Sequence, residues 1–443
     1  MANSYLTANT GTATNAKKFT LSMWIKRSKL CDTNSQRPYQ GYADSNNRVY
    51  WMFDNTNSNP DTMWIYAVTG GSLQIYWTSA RKFRDCNGWY HFVFSADSTL
   101  GTAADRLKVY VNGVLETSFT KNNNPAVNID WGNQIAQSNG DLTISGTESQ
   151  TQLFDGYMSH VAFVDGQALA PTEFGSTDST SGIWKFKSPS GITWGNNGYH
   201  LKFENSGNLG LDSSGNSNNF TVGGNLKQSL STPSNVYQTL NPNSTDSGVT
   251  LSNGATTADF DGSVGNAKGQ LAVTKGKWYY ECKITAASQY PMIGIGEINR
   301  NQMEKRTGGS YPGGFQDSYG TYGNGNVYAN GSNTGSQGFT YTTNDIISVI
   351  IDLDSATKTI KWNKNGTQIA TTNITNAGDD FAYAPMDYNG GESGVTCNYN
   401  FGEGRFGTTD ITSAGSNGNG SLFEYDVPSG HYAINTSNIN TYG

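Results

Sequence analysis

Side chains suited to acid–base or nucleophilic chemistry are sparse in this sequence. Two of its four histidines, His91 and His160, lie within alternating apolar patterns beside aromatic residues, which is typical of packed strands. No Gly-x-Ser-x-Gly, His-Glu-x-x-His or Gly-x-x-x-x-Gly-Lys motif occurs. A glycosidase needs two carboxylates flanking a cleft, and the sequence pairs no two acidic residues in this way. We predict that the chain is not an enzyme and keep a glycan-degrading enzyme as the less favoured alternative.

Two loops contain oxygen-bearing side chains that suit a hard cation. Asp212, Asn216 and Asn218 lie in one loop, and Asp97 and Asp105 flank another. Carboxylate and amide oxygens are ligands for Ca²⁺, but Asp and Asn also cap turns by bonding to the backbone. Neither loop has the dense alternating carboxylates of a strong site. We therefore favour turn capping and no cofactor, with calcium at the first loop as the weaker interpretation.

The four cysteines are Cys31, Cys86, Cys282 and Cys397. They come two in each half without Cys-x-x-Cys spacing, which argues against zinc. Either pair could be in contact. We predict free buried thiols, because a chain without a secretion signal is made in a reducing compartment.

Two sets of aromatic residues could contact a ligand, since aromatic rings stack on sugar rings. The candidates are Trp51, Trp64 and Trp77 in the first half, and Tyr311, Phe315, Tyr319 and Tyr322 in the second. Aromatic residues favour strands and cores, so we expect the three tryptophans to pack in a core. The second set lies among glycines in residues 307–340, where we expect surface loops around one or two short strands.

The elements that position these residues are predicted to be short strands. Of 443 residues, 53 are glycine, 14% are charged and 12% are aromatic, a composition that favours many strands and turns over long helices. The pairs Asn112-Gly113 and Asn365-Gly366 predict hairpin turns. The predicted strand runs are 19–25, 49–53, 63–68, 73–77, 89–95, 107–111, 114–119, 142–145, 157–164, 278–284, 292–298, 346–353, 359–362, 381–386 and 395–401.

The strand runs form two series, which predict an all-β chain of two tandem antiparallel β-sandwich domains of jelly-roll type joined by a linker. Residues 176–230 are transitional, and residues 231–246 are rich in Ser, Thr, Pro and Asn and predict the linker. Most strands should alternate, with one face inward.

The charge balance argues against a nucleic-acid partner. The net charge is −7 and the sequence pI is about 5.1, whereas a phosphate backbone needs a basic face. No stretch approaches the roughly 18 apolar residues of a membrane span, and the N-terminus shows no signal-peptide pattern. We expect no nucleic acid, no membrane span and synthesis in a cytoplasm.

Four segments of the first half, in order, carry a family resemblance. They are Phe-Thr-Leu-Ser-Met-Trp-Ile-Lys at 19–26, Trp-Tyr-His-Phe-Val-Phe-Ser at 89–95, Leu-Lys-Val-Tyr-Val-Asn-Gly at 107–113 and Phe-Asp-Gly-Tyr-Met-Ser-His-Val-Ala-Phe-Val-Asp-Gly at 154–166. Residues 1–175 resemble the laminin G-like, concanavalin A-like lectin superfamily. This resemblance implies a sandwich with a carbohydrate-binding role.

A second resemblance covers residues 247–408. Its segments are Gly-Lys-Trp-Tyr-Tyr-Glu-Cys-Lys-Ile at 276–284, Ile-Gly-Ile-Gly-Glu at 293–297, Asp-Ile-Ile-Ser-Val-Ile-Ile-Asp-Leu-Asp at 345–354, Trp-Asn-Lys-Asn-Gly at 362–366 and Asn-Tyr-Asn-Phe-Gly at 398–402. These resemble the strands of SPRY domains, and they leave residues 409–443 as a C-terminal tail.

The junction and the tail are similar to structural proteins of tailed bacteriophages of marine type. The similar segments are Asp-Gly-Gln-Ala-Leu-Ala-Pro-Thr-Glu-Phe-Gly at 165–175, Asp-Ser-Ser-Gly-Asn-Ser-Asn-Asn-Phe-Thr-Val at 212–222, Thr-Pro-Ser-Asn-Val-Tyr-Gln-Thr-Leu-Asn-Pro at 232–242 and Gly-His-Tyr-Ala-Ile-Asn-Thr-Ser-Asn-Ile-Asn at 430–440.

This resemblance implies a fibre-type virion structural protein that displays binding domains for attachment to the host surface. The implied partners are other virion proteins and a host-surface glycan. The implied assembly is a homo-oligomer, with a trimer favoured, or many copies on the extracellular particle. The alternative is a capsid decoration or tail accessory protein whose loops bind neighbouring virion subunits.

Overall fold

The computed structural model describes residues 4–31, 34–55, 60–131, 141–261, 264–287, 291–300, 311–390 and 393–443. The chain divides into two compact units, unit 1 ending at Gln228 and unit 2 beginning at Ser229. Regular structure in the described residues is almost wholly antiparallel β, which confirms the predicted fold class of two β-sandwich domains.

Unit 1 contains two main sheets. Its described strands are β1 (Tyr5–Asn9), β2 (Lys18–Arg27), β3 (Gln36–Asp44), β4 (Asn47–Phe53), β5 (Thr62–Thr69), β6 (Ser72–Lys82), β7 (Tyr90–Asp97), β8 (Leu107–Val111), β9 (Val114–Leu115), β10 (Phe119–Lys121), β11 (Asp141–Ile144), β12 (Gly156–Asp165), β13 (Gly175–Thr177), β14 (Trp184–Phe186), β15 (Tyr199–Leu201) and β16 (Thr221–Gly223). The first sheet has the order β10-β6-β5-β4-β3-β11-β1-β16, and the second has the order β15-β12-β2-β7-β8-β9.

The core of unit 1 lies between these sheets. Alternate residues of β2 and β7, such as Met23 and Phe92, face Trp51 and Trp77 of the first sheet in one buried cluster. Residues 169–194, which we name the strap, cover the other face of the second sheet, and Trp184 of the strap stacks on His91. Both faces of β2 are therefore buried, and the expected alternation is absent there.

Unit 2 repeats the two-sheet arrangement. Its described strands are β17 (Val249–Ser252), β18 (Thr257–Asp261), β19 (Val264–Lys268), β20 (Lys277–Ala286), β21 (Met292–Glu297), β22 (Ser318–Tyr322), β23 (Asn326–Ala329), β24 (Ser332–Ser336), β25 (Ile346–Asp352), β26 (Thr359–Lys364), β27 (Thr367–Asn373), β28 (Tyr383–Gly390), β29 (Ser393–Asn400), β30 (Arg405–Phe406), β31 (Thr409–Asp410) and β32 (Tyr432–Ala433). One short helix, α1 (Thr436–Tyr442), follows.

The first sheet of unit 2 has the order β17-β18-β29-β20-β25-β26-β27, with β32 pairing with β20, and the second has the order β19-β28-β21-β22-β23-β24. Core residues such as Ile284, Val349 and Ile293 come from both sheets. The C-terminal segment packs on the outer face of the first sheet, where Phe423 and Tyr279 stack edge to face with ring centroids 4.8 Å apart.

The segment expected to be a linker is instead part of unit 2. Leu240 is fully buried in the core of that unit, and Tyr237 is 5% exposed. Residues 176–228 belong to unit 1, where β16 pairs with β1. The polar composition of this segment predicted a linker. Composition does not show that its few apolar residues are buried in unit 2.

No helix among the described residues is long and apolar enough to cross a membrane.

Candidate functional site

A row of aromatic residues crosses the outer face of the first sheet in unit 1. Strand pairing places Gln40 of β3 opposite Tyr50 of β4, Tyr50 opposite Tyr66 of β5, and Tyr66 opposite Tyr76 of β6. Successive side chains of a strand point to opposite faces, so these residues lie on the face turned away from the core. The row is fixed by four paired strands and not by a loop.

The rings of this row contact one another and stay half-buried. Tyr50 and Tyr66 stack with centroids 5.1 Å apart, and Tyr66 meets Tyr76 edge to face at 6.2 Å. Trp64 lies on the same face and contacts Tyr76 edge to face at 5.3 Å. We name Tyr50, Trp64, Tyr66 and Tyr76 the tyrosine face.

Two arginines border the tyrosine face. The guanidinium carbon of Arg37 lies 3.8 Å from the ring centroid of Tyr50, and that of Arg48 lies 5.4 Å from the centroid of Tyr66. Arg37 donates to the side-chain oxygen of Gln40, and the Gln40 amide donates to the exposed carboxylate of Glu148. Arg48 also donates to the Tyr66 hydroxyl at 3.5 Å, so both arginines are held against aromatic rings.

Burial controls the electrostatics of this face. Burial raises the pKa of the Tyr50 hydroxyl, and the nearby Arg37 charge opposes that rise. Burial also lowers the pKa of Arg37, which is opposed by Tyr50 and Glu148. The Tyr50 hydroxyl is therefore neutral at neutral pH. Aromatic surfaces beside planar guanidinium groups suit a polyhydroxylated ligand such as a sugar chain.

The structure brings only one of the three candidate tryptophans to this face. Trp51 and Trp77 pair with Ile65 in the adjacent inward row and are 2% and 1% exposed, so they are core residues, as expected. Trp64 is half-buried and outward. Tyr50 and Tyr76, which precede these two core tryptophans in the sequence, point outward instead. Knowledge of the strand register would have identified them as surface residues.

The second candidate set is divided between core and surface. Phe315 and Tyr319 are 4% and 0% exposed, so the expectation of surface loops is wrong for them. Tyr319 lies on β22, which pairs with β21 and β23, and it faces the core. Tyr311 and Tyr322 are half-buried. Glycine-rich composition suggested loops, whereas the glycines here allow close strand packing.

Tyr311 belongs to a second aromatic surface on unit 2. Its ring lies 5.5 Å from that of Tyr328 and 5.4 Å from that of Tyr388, and all three residues are half-buried. Gly320 lies opposite Tyr328 across β22 and β23, and a side chain at Gly320 would collide with Pro312. The missing side chain thus lets the loop bearing Tyr311 lie against the sheet.

The candidate calcium loop is held by internal hydrogen bonds. The Asp212 carboxylate accepts backbone N–H bonds from His200, Ser214 and Asn218 at 2.8–2.9 Å. The amide groups of Asn216 and Asn218 both donate to the carbonyl oxygen of Gly198, at 2.9 and 2.8 Å. The three candidate residues do converge, but as caps of backbone turns.

The other acidic candidates have separate lysine partners. Asp97 pairs with Lys18 at 2.8 Å, and Asp105 pairs with Lys108 at 3.3 Å. The structure therefore gives these two carboxylates distinct local roles on the surface of unit 1.

His91 is buried and is held in place by aromatic stacking and by hydrogen bonds at both ring nitrogens. His91 stacks between Trp24 and Trp184, with Nε2 2.8 Å from the Ser22 hydroxyl oxygen. Trp184 donates to Nδ1 at 2.9 Å, and burial lowers the pKa of His91 to about 3, so the neutral ring carries its proton on Nε2. His91 thus donates to Ser22 and cannot act as a base toward it.

The thiols of Cys31, Cys86, Cys282 and Cys397 are all free and buried in this structure. This arrangement agrees with the thiol state expected from the sequence. Cys31 accepts a hydrogen bond from the Arg27 guanidinium at 3.3 Å, and burial raises its pKa to about 11, so it is a weak nucleophile.

Two known domain families match the chain. Residues 1–174 match the concanavalin A-like lectin/glucanases superfamily, and residues 277–403 match the SPRY domain. These matches confirm both domain resemblances stated from the sequence. Comparison with curated protein sequences gives no match.

Solved structures show similarity at low identity. The SPRY domain of human HERC1 is 17% identical, with 39% of this chain and 99% of that chain covered and a TM-score of 0.30. A second human SPRY domain is 20% identical, covering 34% and 94% with a TM-score of 0.28. The native heptameric SAP-like pentraxin from Limulus polyphemus is 16% identical, covering 50% and 88% with a TM-score of 0.29.

Proposed function

Because the chain contains an N-terminal concanavalin A-like domain and a C-terminal SPRY domain, we propose that it is an adhesion protein whose tyrosine face binds a cell-surface glycan. The observation that carries this proposal is the in-register row Tyr50, Tyr66 and Tyr76, bordered by Arg37 and Arg48. An aromatic row on a rigid sheet stacks successive sugar rings, and the polar groups bind their hydroxyls.

The binding needs no chemistry at the ligand. The tyrosine rings supply stacking, and the arginines beside them supply hydrogen bonds. The buried His91 cannot activate Ser22. A shallow face gives a modest affinity for one chain. Many copies on one particle raise the effective concentration, so weak sites together hold a host cell.

The setting we propose is a tailed-bacteriophage virion, with this chain as a fibre-type structural protein that attaches to the host surface. The support for it is the resemblance of the junction and tail segments at 165–175, 212–222, 232–242 and 430–440 to phage structural proteins. In this proposal the protein is made in the host cytoplasm, binds the glycan without a cofactor and reaches the exterior as part of the particle.

A second candidate is a capsid decoration or tail accessory protein. The aromatic surface of Tyr311, Tyr328 and Tyr388 on unit 2 favours this candidate, because a second exposed aromatic surface suits binding to a neighbouring virion subunit. Antibody labelling of intact particles separates the two candidates. Labels at the tail tip support attachment, and labels spread over the head support decoration.

The glycan proposal is tested by measuring binding of the full chain to purified host-envelope polysaccharide. Tyr66→Ala should weaken binding at least tenfold, about 1.4 kcal/mol, because Tyr66 contacts both other tyrosines of the row. The matched control is Tyr110→Ala, a half-buried tyrosine on β8 of the other sheet, which should bind as the wild type does. Unchanged binding by Tyr66→Ala together with loss in Tyr311→Ala would move the site to unit 2.

A further inference from the structure

Four donor side chains converge in the core of unit 2. Cys282 lies on β20, Asp387 on β28, and Cys397 and Tyr399 on β29. The two sulfur atoms and a carboxylate oxygen of Asp387 lie within 4.8 Å of one another, and all three side chains are fully buried. Across the described ranges, this is the one group of three Cys, His or acidic side chains close enough to share a metal ion.

The strand register explains the convergence. Cys282 pairs with Tyr399, and Ile284 pairs with Cys397, so the two cysteines are diagonal neighbours on one face. That face is the inner one, because all four of these residues belong to the core. β28 belongs to the other sheet, so Asp387 reaches the thiols from across the sandwich.

Tyr399 adds a fourth oxygen to the group. Its hydroxyl donates a hydrogen bond to Oδ2 of Asp387 and also lies beside the Cys282 thiol. Its side chain is 2% exposed, so the hydroxyl stays inside the core. The donor set is thus two sulfurs and two oxygens, all on paired strands.

Among the described residues, no lysine or arginine forms an ion pair with the carboxyl group of Asp387. The Asp387 carboxylate instead accepts hydrogen bonds from the Tyr399 hydroxyl and from the backbone N–H of Tyr388, the latter at 2.7 Å. Burying an acidic group without a counter-ion is costly, and buried charges in proteins are normally paired or coordinate metals.

We propose that Cys282, Cys397, Asp387 and Tyr399 bind one Zn²⁺ ion that joins the two sheets of unit 2. Two thiolates with two oxygens make a four-coordinate set, as structural zinc sites require, and thiolate ligands disfavour Ca²⁺ and Mg²⁺. On binding, the thiol protons of both cysteines leave to solvent, and the sulfurs donate electron pairs to the ion. Full burial leaves no position for a substrate, so the ion is structural.

Cys-x-x-Cys spacing is missing because the ligands come from three separate strands. The absence of that spacing therefore argues only against a zinc ribbon or finger, in which neighbouring residues supply the ligand pairs. Here the sandwich assembles the ligands, as the pairing of β20 with β29 shows.

The test measures zinc in the full chain, purified without chelator from zinc-supplemented medium. We expect about one equivalent by mass spectrometric metal analysis. Removing the zinc and adding Co²⁺ should give thiolate-to-cobalt charge-transfer bands and visible bands of a tetrahedral site. Cys397→Ser and Asp387→Asn should each lower bound metal at least tenfold.

The matched control is Cys86→Ser, which removes a buried free thiol from unit 1 and should keep the full zinc content. A wild-type chain with less than about a tenth of an equivalent of zinc and no cobalt bands overturns the proposal, whatever the variants do. An equal loss of metal in Cys86→Ser and Cys397→Ser also overturns it. Because wild-type protein alone decides the first outcome, a variant that fails to fold leaves the test intact.

Discussion

Arg27 and Asp61 form a buried ion pair in unit 1. Arg27 Nη1 lies 2.9 Å from Asp61 Oδ1, and their side chains are 0% and 2% exposed. The guanidinium also donates to the carbonyl oxygen of Phe83 at 2.6 Å, and the Asp61 carboxylate accepts the backbone N–H of Cys31 at 2.8 Å. The pair thus ties β2 to the loops on either side of β5 and β6.

Arg27→Leu should destabilise unit 1 by about 3 kcal/mol, because it leaves the buried Asp61 carboxylate with the 49% exposed Arg84 side chain, at 3.0 Å, as its remaining ion-pair partner. Chemical denaturation followed by tryptophan fluorescence measures this, since eight of the ten tryptophans lie in unit 1. The matched control is Lys185→Leu. Lys185 pairs with Asp178 at 2.8 Å but is 51% exposed, and its loss should cost far less stability than the loss of Arg27. An equal loss of unfolding free energy in both variants would contradict the idea that burial makes the Arg27–Asp61 pair important for stability.

At the level of single residues, the sequence identified aromatic side chains but not their faces. Trp51 and Tyr50 are neighbours in the chain, yet one is in the core and the other on the tyrosine face. A strand places adjacent residues on opposite faces, so a shift of one position exchanges core and surface. Register comes from pairing with distant strands, which residue type alone does not show.

At the level of elements, turn chemistry and alternation predicted most of the described strands that have seven or more residues, but few of the shorter ones. Asn112 and Gly113 have φ angles of 50° and 79°, and Asn365 and Gly366 have 49° and 82°, as the two predicted hairpin turns require. β3 was missed because its sequence, with Pro and Gly among polar residues, lacks alternation. Alternation also fails in β2, since the strap buries its second face.

The strap region contains a second feature with a measurable consequence. His160 Nδ1 lies 3.3 Å from His200 Nε2, and the His160 ring stacks on Phe186 of the strap. Burial lowers the pKa of His160 to about 3 and that of His200 to about 4, with Lys202 lowering both further and Asp212 opposing it at His200. Both rings are therefore neutral in the folded state at neutral pH.

These lowered pKa values predict that unit 1 loses stability in acid. The unfolded chain takes up protons near pH 6.5, before the folded histidines do, so stability is complete above that pH and falls as the pH drops toward 4. At pH 5 the loss should be about 1–2 kcal/mol for each histidine. His200→Gln should reduce the difference between denaturation at pH 7.5 and pH 5. The same pH dependence in wild type and variant would rule out this role for the pair.

For the whole molecule, composition located the two sandwiches but placed the boundary too late. The Ser-, Thr- and Pro-rich segment at 231–246 contributes Leu240, fully buried, and Tyr237, 5% exposed, to unit 2. Glu403 accepts backbone N–H bonds from Leu230 and Ser231 at 3.0 and 3.2 Å. Two apolar side chains among many polar ones do not alter a composition average, but they decide where the unit begins.

A fragment that begins at residue 229 should therefore fold, whereas one that begins at 247 should not reach the same stability. Loss of the buried Leu240 and Tyr237 side chains removes about 1.5–3 kcal/mol each, and the Glu403 contacts are lost as well. Thermal unfolding of both fragments, followed by circular dichroism, measures the difference. As a control, a fragment ending at residue 228 should unfold cooperatively by itself. Equal stability of the two C-terminal fragments would show that residues 229–246 serve as a connection, as their composition first indicated.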